Sequence, residues 1–175
     1  MPIFYVRIPE NRIGVLIGPN GSTKELIEKA GKSKITIDSE SGDIQIGYED
    51  PFLGLKCRDV VTAIGRGFSP INAMKLYDPN TYLYIMNIND FARDKKNHLR
   101  RIRARVIGTN GKTKKYIEKE TNTILSIYGS TVSVIGTLEM VEIVKESLTL
   151  LMRGSEHSTI YRLIDRRVKE ALING

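Results

Sequence analysis

Two short glycine-containing segments carry residue types suited to contact a phosphate group. Gly18-Pro19-Asn20-Gly21 and Gly108-Thr109-Asn110-Gly111 each place two glycines three positions apart. Glycine accepts positive φ and has no Cβ to block an approaching backbone. A helix-forming segment follows each copy, and the first turn of a helix offers free amide groups with a partial positive charge. The spacing favours contact with a phosphodiester chain, although a plain helix-turn-helix corner uses the same residues.

These segments belong to an internal repeat with an offset of 90 residues. Residues 17–29 and 107–119 agree at 9 of 13 positions, and both continue after the second glycine with Thr-Lys and then Ile-Glu-Lys. Two copies in 175 residues indicate two similar domains rather than a solenoid. Turn-forming residues cluster at 78–80. We therefore predict one domain at residues 1–78 and a second at 79–175.

Hydrophobic periodicity predicts the same element order in both domains: strand, helix, helix, strand, strand, helix. In the first domain we expect strands at 3–8, 34–38 and 43–48, and helices at 10–17, 22–30 and 55–67, with Gly31 stopping the second helix. In the second domain we expect strands at 82–88, 123–127 and 131–135, and helices at 99–107, 112–120 and 138–152. An additional amphipathic helix is expected at 158–173. This order predicts an α+β fold with three-stranded antiparallel sheets and helices on one face of each.

Positive charge is concentrated in the second half of the chain. The formal net charge is +7, from 27 Lys and Arg against 20 Asp and Glu. Residues 1–80 carry ten of each sign and sum to zero, so residues 81–175 hold the whole excess. Residues 93–119 alone contain 11 basic and two acidic residues. Such a cluster is typical of a polyanion-binding face, while a solvated basic surface is the plainer alternative.

Several kinds of chemistry are disfavoured by what the sequence lacks. Cys57 is the single cysteine and His98 and His157 are the two histidines, so we expect no disulfide, no metal site and no cofactor. Gly111-Lys112-Thr113 has the end of a P-loop, but the position five residues before Gly111 is Val106 rather than glycine. Carboxylates do not cluster as a nuclease requires. We predict a protein that is not an enzyme, that does not enter a membrane, and that is cytoplasmic, because its start lacks a secretory signal.

The repeated segments resemble the signature loops of KH domains. Ile17 to Gly21 and Ile107 to Gly111 match the Gly-x-x-Gly motif, and the element order matches the type I, eukaryotic-type KH fold. The whole chain is similar to archaeal tandem-KH relatives of the pre-ribosomal protein that partners the Nob endonuclease, on the strength of residues 55–70 and 157–161. The resemblance implies a loop that clamps about four single-stranded nucleotides and a role near the 3′ end of small-subunit rRNA. In the eukaryotic relatives the first loop is degenerate, whereas here Gly18 and Gly21 are both present.

The charge distribution predicts that the second KH domain supplies most of the RNA affinity, because each neutralised phosphate adds a salt-dependent term. At equivalent positions Ser22 stands against Lys112, Glu25 against Lys115 and Val15 against Arg105. In the second domain we predict RNA contacts from the loop and its basic flanks: Arg103, Arg105, Ile107, Gly108, Thr109, Asn110, Gly111, Lys112, Lys114 and Lys115. In the first domain we predict contacts from Gly18, Pro19, Asn20, Gly21 and Lys24. Ile117, Leu125 and Ile127 are further groove candidates, with core packing as the alternative.

The near-neutral first domain is expected to have another role. The resemblance implies contacts with ribosome-assembly or translation proteins, and Phe68 either packs on its own domain or presents its ring to a partner. His98 is a candidate RNA contact, and His157 is expected to cap or pack near the last helix. A general single-stranded RNA or DNA regulator, or a subunit of an RNA degradation complex, remains the alternative function.

Overall fold

The first part of the chain forms a helix-backed sheet. The computed structural model describes residues 1–92 and 96–175, and these divide into two compact units, Met1–Leu83 and Tyr84–Gly175. The first unit consists of β1 (Ile3–Arg7), α1 (Glu10–Ile17), α2 (Ser22–Gly31), β2 (Ser33–Ile37), β3 (Asp43–Tyr48) and α3 (Pro51–Gly65), followed by the short helix α4 (Pro70–Ala73) and a 3-10 turn, Met74–Tyr77. Its strands are antiparallel in the order β1-β3-β2.

Side-chain alternation along these strands sets which face meets the helices. Tyr5 lies opposite Gln45, and both are exposed. Ile35 lies opposite Ile46, and both are buried, together with Ile44. The period of two along a strand sends one set to each face of the sheet. The buried set packs with the apolar faces of α1, α2 and α3.

The second unit repeats this plan and adds a helix. It contains most of β4 (Thr81–Asn87), then α5 (Asn89–Ala92), α6 (Lys96–Ile107), α7 (Lys112–Thr121), β5 (Ile124–Tyr128), β6 (Thr131–Thr137), α8 (Leu138–Met152) and α9 (His157–Asn174). The sheet order is β4-β6-β5, with Leu125 opposite Val134. Ile117, Leu148 and Ile160 are among its fully buried core residues. α9 packs against α7 and α8. The predicted α+β fold with two three-stranded antiparallel sheets and a C-terminal helix is confirmed.

Element ends differ from the predictions where a side chain, rather than a backbone preference, decides them. α3 begins at Pro51, four residues before the predicted start, because the Asp50 carboxylate accepts the amide protons of Phe52 and Leu53 at 2.9 and 3.3 Å. It also ends at Gly65 rather than at residue 67. The prediction that Gly31 stops α2 is wrong, since the left-handed residue after the helix is Lys32, with φ of 46°. The short helices α4 and α5 had no predicted counterpart.

Candidate nucleic-acid interface

The two Gly-x-x-Gly loops share one backbone conformation. In the first loop Gly18, Asn20 and Gly21 have φ of 73°, 54° and 75°. The three equivalent residues of the second loop, 90 positions later, have φ of 75°, 56° and 75°. Each loop forms a single 3-10 turn between two helices. Positive φ at three of four positions explains why two glycines and an asparagine recur, since these residues adopt positive φ at the least cost.

The two glycines of a loop do different work. A Cβ at Gly108 would lie 2.3 Å from Thr113 Oγ1, and one at Gly18 would lie 2.1 Å from Thr23 Oγ1. The first glycine is therefore required by close packing against the threonine in the first turn of the following helix. At Gly111 the nearest heavy atom would be 3.7 Å from the added Cβ. The second glycine is required by its φ and leaves open space, which an external backbone can enter.

A lysine–glutamate pair ties the helix after each loop to the neighbouring strand. Lys114 Nζ lies 3.0 Å from Glu118 Oε1, and Glu118 Oε2 accepts the amide proton of Leu125 at 3.0 Å. The Lys24–Glu28 pair makes the same link to β2 in the first unit, at 3.3 and 2.9 Å. This link accounts for the repeated lysine after the threonine and for the repeated glutamate. It also gives Lys24 and Lys114, both predicted to contact RNA, a structural role.

Basic residues on α6 divide between two faces of the helix. Residues three and four apart lie on one helical face. Arg100, Arg103 and Ile107 form one stripe and line a cavity of about 370 Å³. Arg101 and Arg105 form the other stripe and line a cavity of about 390 Å³ beside the second loop. The predicted RNA contacts Arg103 and Arg105 therefore lie on different sides of the same helix.

Arg105 holds the end of α8. Its Nη2 donates to the carbonyl of Ser155 at 2.5 Å and approaches that of Leu151 at 3.4 Å. His157 Nε2 lies 2.9 Å from the Arg105 carbonyl oxygen, as expected for a histidine that packs near the last helix. Arg105 thus joins α6 to the segment that leads into α9.

Arg12 makes the equivalent contact in the first unit. Its Nε and Nη2 donate to the carbonyls of Ile64 and Phe68, both at 2.8 Å. The offset between the two arginines is 93 rather than 90, so the alignment of the repeats does not pair them. Sequence comparison missed the shared role because α1 and α6 make the same contact from positions that do not align.

Cations close to the loop are found in the second unit. Lys112 is exposed, and its side chain makes no hydrogen bond or ion pair within the described part of the chain. Lys115 Nζ lies 3.5 Å from the carbonyl oxygen of Asn110, within the loop. Ser22 and Glu25 occupy these positions in the first unit. Arg93 and Lys95, also part of the basic run, lie outside the described residues.

The groove candidates separate into surface and core. Ile107 and Ile127 are half-buried and remain available at the surface. Ile117 is 0% exposed and Leu125 is 3% exposed, so both support the groove from within the core. In the first unit Phe68 is 2% exposed and packs on its own domain rather than offering its ring.

The residues that the structure describes contain no group of three or more His, Cys, Asp or Glu able to hold a metal ion. Across the same two ranges, no helix has the length and apolar character needed to span a bilayer.

Comparison with known proteins places the chain in a family. The model for the second KH domain of PNO1, a eukaryotic-type (type I) KH domain, matches residues 82–169. A KH domain-containing protein of Methanocaldococcus jannaschii is 41% identical over 167 residues, covering 94% of this chain and 73% of the relative. The pre-rRNA-processing protein PNO1 of Chaetomium thermophilum is 30% identical over 152 residues, which cover 84% of this chain and 54% of that protein.

A solved structure extends the similarity to three dimensions. A chain in the crystal structure of an a/eIF2α–aDim2p–rRNA complex from Pyrococcus horikoshii is 45% identical, with a TM-score of 0.90, covering 97% of this chain and 95% of that one. Identity and coverage at this level, over two sheets and two Gly-x-x-Gly loops, leave one assignment: the chain belongs to the PNO1-type family of KH-domain proteins.

Proposed function

We propose that this protein binds single-stranded RNA during assembly of the small ribosomal subunit, near the 3′ end of its rRNA, and does so mainly through the second KH domain. One observation carries the proposal: two loops with the same backbone differ in charge, and the unpaired Lys112 stands beside the second. The names of the relatives support the RNA and the pathway, since one is a pre-rRNA-processing protein and another chain lies in a complex with rRNA.

Each predicted residue then has a task. The segment Gly108–Gly111 contacts the RNA backbone, because its second glycine faces open space. Lys112 and Lys115 meet phosphates, and Arg103 and Arg105 add positive charge on either side of α6. Ile107 supplies apolar surface to a base. Lys114 contributes its aliphatic stem while its ammonium group pairs with Glu118.

The first KH domain has a smaller part in RNA binding. Gly18, Pro19, Asn20 and Gly21 provide the same backbone, but Lys24 is the nearby cation and is paired with Glu28. We propose that this domain contacts proteins of ribosome assembly or translation. The name of the Pyrococcus complex, which includes a/eIF2α, supports a partner of that kind. The protein acts by binding rather than catalysis, in the cytoplasm.

The proposed domains comprise residues 1–78 and 79–175. Asp78 begins a turn, in which its carboxylate accepts the amide proton of Asn80 at 2.8 Å and its carbonyl accepts that of Thr81 at 3.1 Å. β4 starts directly after this turn and joins the second sheet. This turn supports a boundary before the first strand of the second domain, five residues ahead of the division between the two compact units.

Charge reversal in the two loops tests the division between domains. Thr109→Asp with Asn110→Asp places negative charge where phosphate is expected, and Pro19→Asp with Asn20→Asp is the matched variant in the first loop. Aspartate tolerates the left-handed backbone at the asparagine position, so both variants should fold. We expect the second-loop variant to weaken binding of a single-stranded RNA from the rRNA 3′ end by more than about tenfold, and the first-loop variant by less than about threefold. A larger loss in the first-loop variant would reverse the assignment.

Sequencing of RNA crosslinked to the protein in cells tests the pathway. Enrichment at the 3′ end of small-subunit rRNA is the expected result. A broad profile over mRNA would instead identify a general single-stranded RNA regulator.

A further inference from the structure

The second stripe of α6 faces a cleft that begins at the Gly-x-x-Gly loop and continues away from it along the helix. Two cavities share Arg101 and Arg105 in their walls, one of about 390 Å³ and one of about 510 Å³. The smaller cavity begins at Gly108, Thr109 and Lys112 and is closed by α9. The larger cavity continues to Arg153 at the end of α8. We call these two joined cavities the α9-side cleft.

The lining of this cleft has a strong positive bias. The residues around the smaller cavity include no carboxylate, and those around the larger include one, Asp90. Arg101 and Arg153 are exposed, and within the described ranges neither side chain has a hydrogen bond or ion pair. Two unneutralised guanidinium groups in one concave surface favour an anion, because like charges held together are stabilised by a counter-charge.

Buried nitrogen atoms in the wall of the cleft point to the same kind of ligand. Nδ1 of His98 and Nε of Arg105 are buried and have no hydrogen-bond partner in the described part of the chain. Both residues line the larger cavity. Arg105 Nε carries a proton, and a buried donor without a partner costs free energy. A ligand with several acceptor oxygens would supply that partner, and would also accept from His98 Nδ1 in the tautomer that carries its proton there.

The first unit lacks the charged residues and the helix that form this cleft. Positions 101, 105 and 112 correspond to Asn11, Val15 and Ser22, none of which carries charge. No helix corresponding to α9 follows α3, since that helix leads to α4 and Tyr77, whose hydroxyl donates to the carbonyl of Ile27 at 2.8 Å. The cleft is thus a property of the unit that already carries the excess charge.

We infer that the α9-side cleft binds backbone phosphates of the same RNA strand, beyond the nucleotides held by the Gly-x-x-Gly loop. This inference rests on the proposed function. The cleft starts at loop residues Gly108 and Thr109, so a strand leaving the loop reaches Arg101 and then Arg153 without crossing the helix. The protein would therefore bind a segment longer than the four nucleotides of one KH clamp.

The length of the RNA distinguishes the contribution of the cleft to affinity from that of the Gly-x-x-Gly loop. The experiment measures binding of the full chain to four-nucleotide and eight-nucleotide single-stranded RNAs over a series of salt concentrations. Each phosphate contact on a single strand contributes a slope of about 0.7 in the plot of log K against log salt, or roughly fivefold in affinity at ~0.1 M. We expect Arg101→Gln and Arg153→Gln each to remove one such contact from the longer RNA, with less than about twofold effect on the shorter one.

Two matched variants control for position and for charge. Arg100→Gln removes an exposed arginine from the opposite stripe of α6 and is expected to weaken both RNAs alike. Arg162→Gln removes a charge from the part of α9 outside the cleft and is expected to weaken neither. Thermal unfolding of each variant shows that it is folded.

The outcomes decide between the possibilities. Equal losses of affinity for both RNA lengths in Arg101→Gln would assign Arg101 to the clamp and overturn the inference. No loss of affinity for either RNA would also overturn it. Inorganic phosphate alone is the second probe. If it binds below about 1 mM, if Arg101→Gln abolishes that binding, and if RNA length has no effect, the cleft belongs to a free anion and the inference is overturned. Failure of the unmodified protein to bind either RNA would instead overturn the proposed function itself.

Discussion

Replacement of Arg12 by methionine tests how the end of a helix is held in the first unit. Two guanidinium nitrogens of Arg12 donate to carbonyls at 2.8 Å, those of Ile64 and Phe68 at and beyond the end of α3. Hydrogen bonds from a charged group contribute about 1.5–3 kcal/mol each. Because carbonyls near the surface recover some hydration, we use the lower value. The expected loss in free energy of unfolding is therefore about 3 kcal/mol.

Arg7 provides a matched control in the same unit. Its Nε and Nη2 also donate to a backbone carbonyl, that of Ser41, at 3.2 Å, and Nε lies 3.6 Å from Asp43. The Arg7 side chain is 72% exposed, however. Exposed pairs of this kind contribute little because water competes for both partners. We expect Arg7→Met to change the free energy of unfolding by less than about 0.5 kcal/mol.

Cys57 provides an assay that reports on the first unit alone. It is the single cysteine of the sequence and is fully buried. Burial also raises the pKa of its thiol, so a thiol reagent labels it when this unit opens. With a urea slope of about 1.5 kcal/mol per molar, Arg12→Met should lower the midpoint of labelling by about 2 M. Equal midpoints for the two variants would refute the idea that Arg12 holds the end of α3.

Two further predictions concern the loops and pH. Gly108→Ala should cost more than about 2 kcal/mol in unfolding free energy, because its Cβ would lie 2.3 Å from Thr113 Oγ1. Gly111→Ala should cost only the ~1–2 kcal/mol of left-handed backbone, but it should weaken RNA binding because the added Cβ fills open space. Thermal unfolding measures the stability of the two variants, and RNA titration measures their binding. Equal losses of thermal stability in the two variants would contradict the packing argument. Burial raises the pKa of the Cys57 thiol above 9.0 and that of the Tyr77 hydroxyl above 10.0, so the unfolded chain loses these protons first as pH rises. Stability of the first unit should therefore fall above about pH 9. The fall should be smaller in Cys57→Ala, which lacks one of the two groups. Urea midpoints that stay constant to about pH 10.5 would contradict this prediction.

The order of elements could be predicted because local signals and tertiary contacts agree at most ends. The bounds of α1, β3 and α8 were predicted to the residue. In each case the apolar periodicity stops where a turn or glycine begins, so propensity and packing favour the same residue.

Other ends were not predictable because they depend on residues distant in sequence. A Cβ at Gly31 would lie 2.7 Å from the Tyr77 hydroxyl, which is 46 positions away. Gly31 is required to be glycine by that contact, and the left-handed residue that follows the helix is Lys32. The sequence around Gly31 contains no sign of this contact, so from sequence the glycine is interpreted as a helix stop.

The candidate site was predictable in its loops and less so in its charges. The Gly-x-x-Gly positions follow from the repeat, and the excess charge of the second unit follows from a count of its charged residues. Helical spacing divides the α6 arginines into two stripes, but the surroundings of each stripe depend on how the helix lies against α8 and α9. Arg105 illustrates the difference, since a residue chosen for its charge is held by Ser155 and Leu151, more than 40 positions later.

Comparison of the two copies therefore separates the residues that set the backbone shape of the loop from those that set its charge. Backbone shape depends on positions that both copies keep, namely the two glycines, the asparagine and the threonine packed on the first glycine. Charge depends on positions that face outward and pack on nothing, such as Lys112 and its counterpart Ser22. Substitution at the second set leaves the fold intact, because exposed positions of a helix contribute little to stability. A duplicated domain can in this way gain or lose positive charge without any change in the geometry of its loop, and the two halves of this chain differ in this respect, with Lys112 in one and Ser22 in the other.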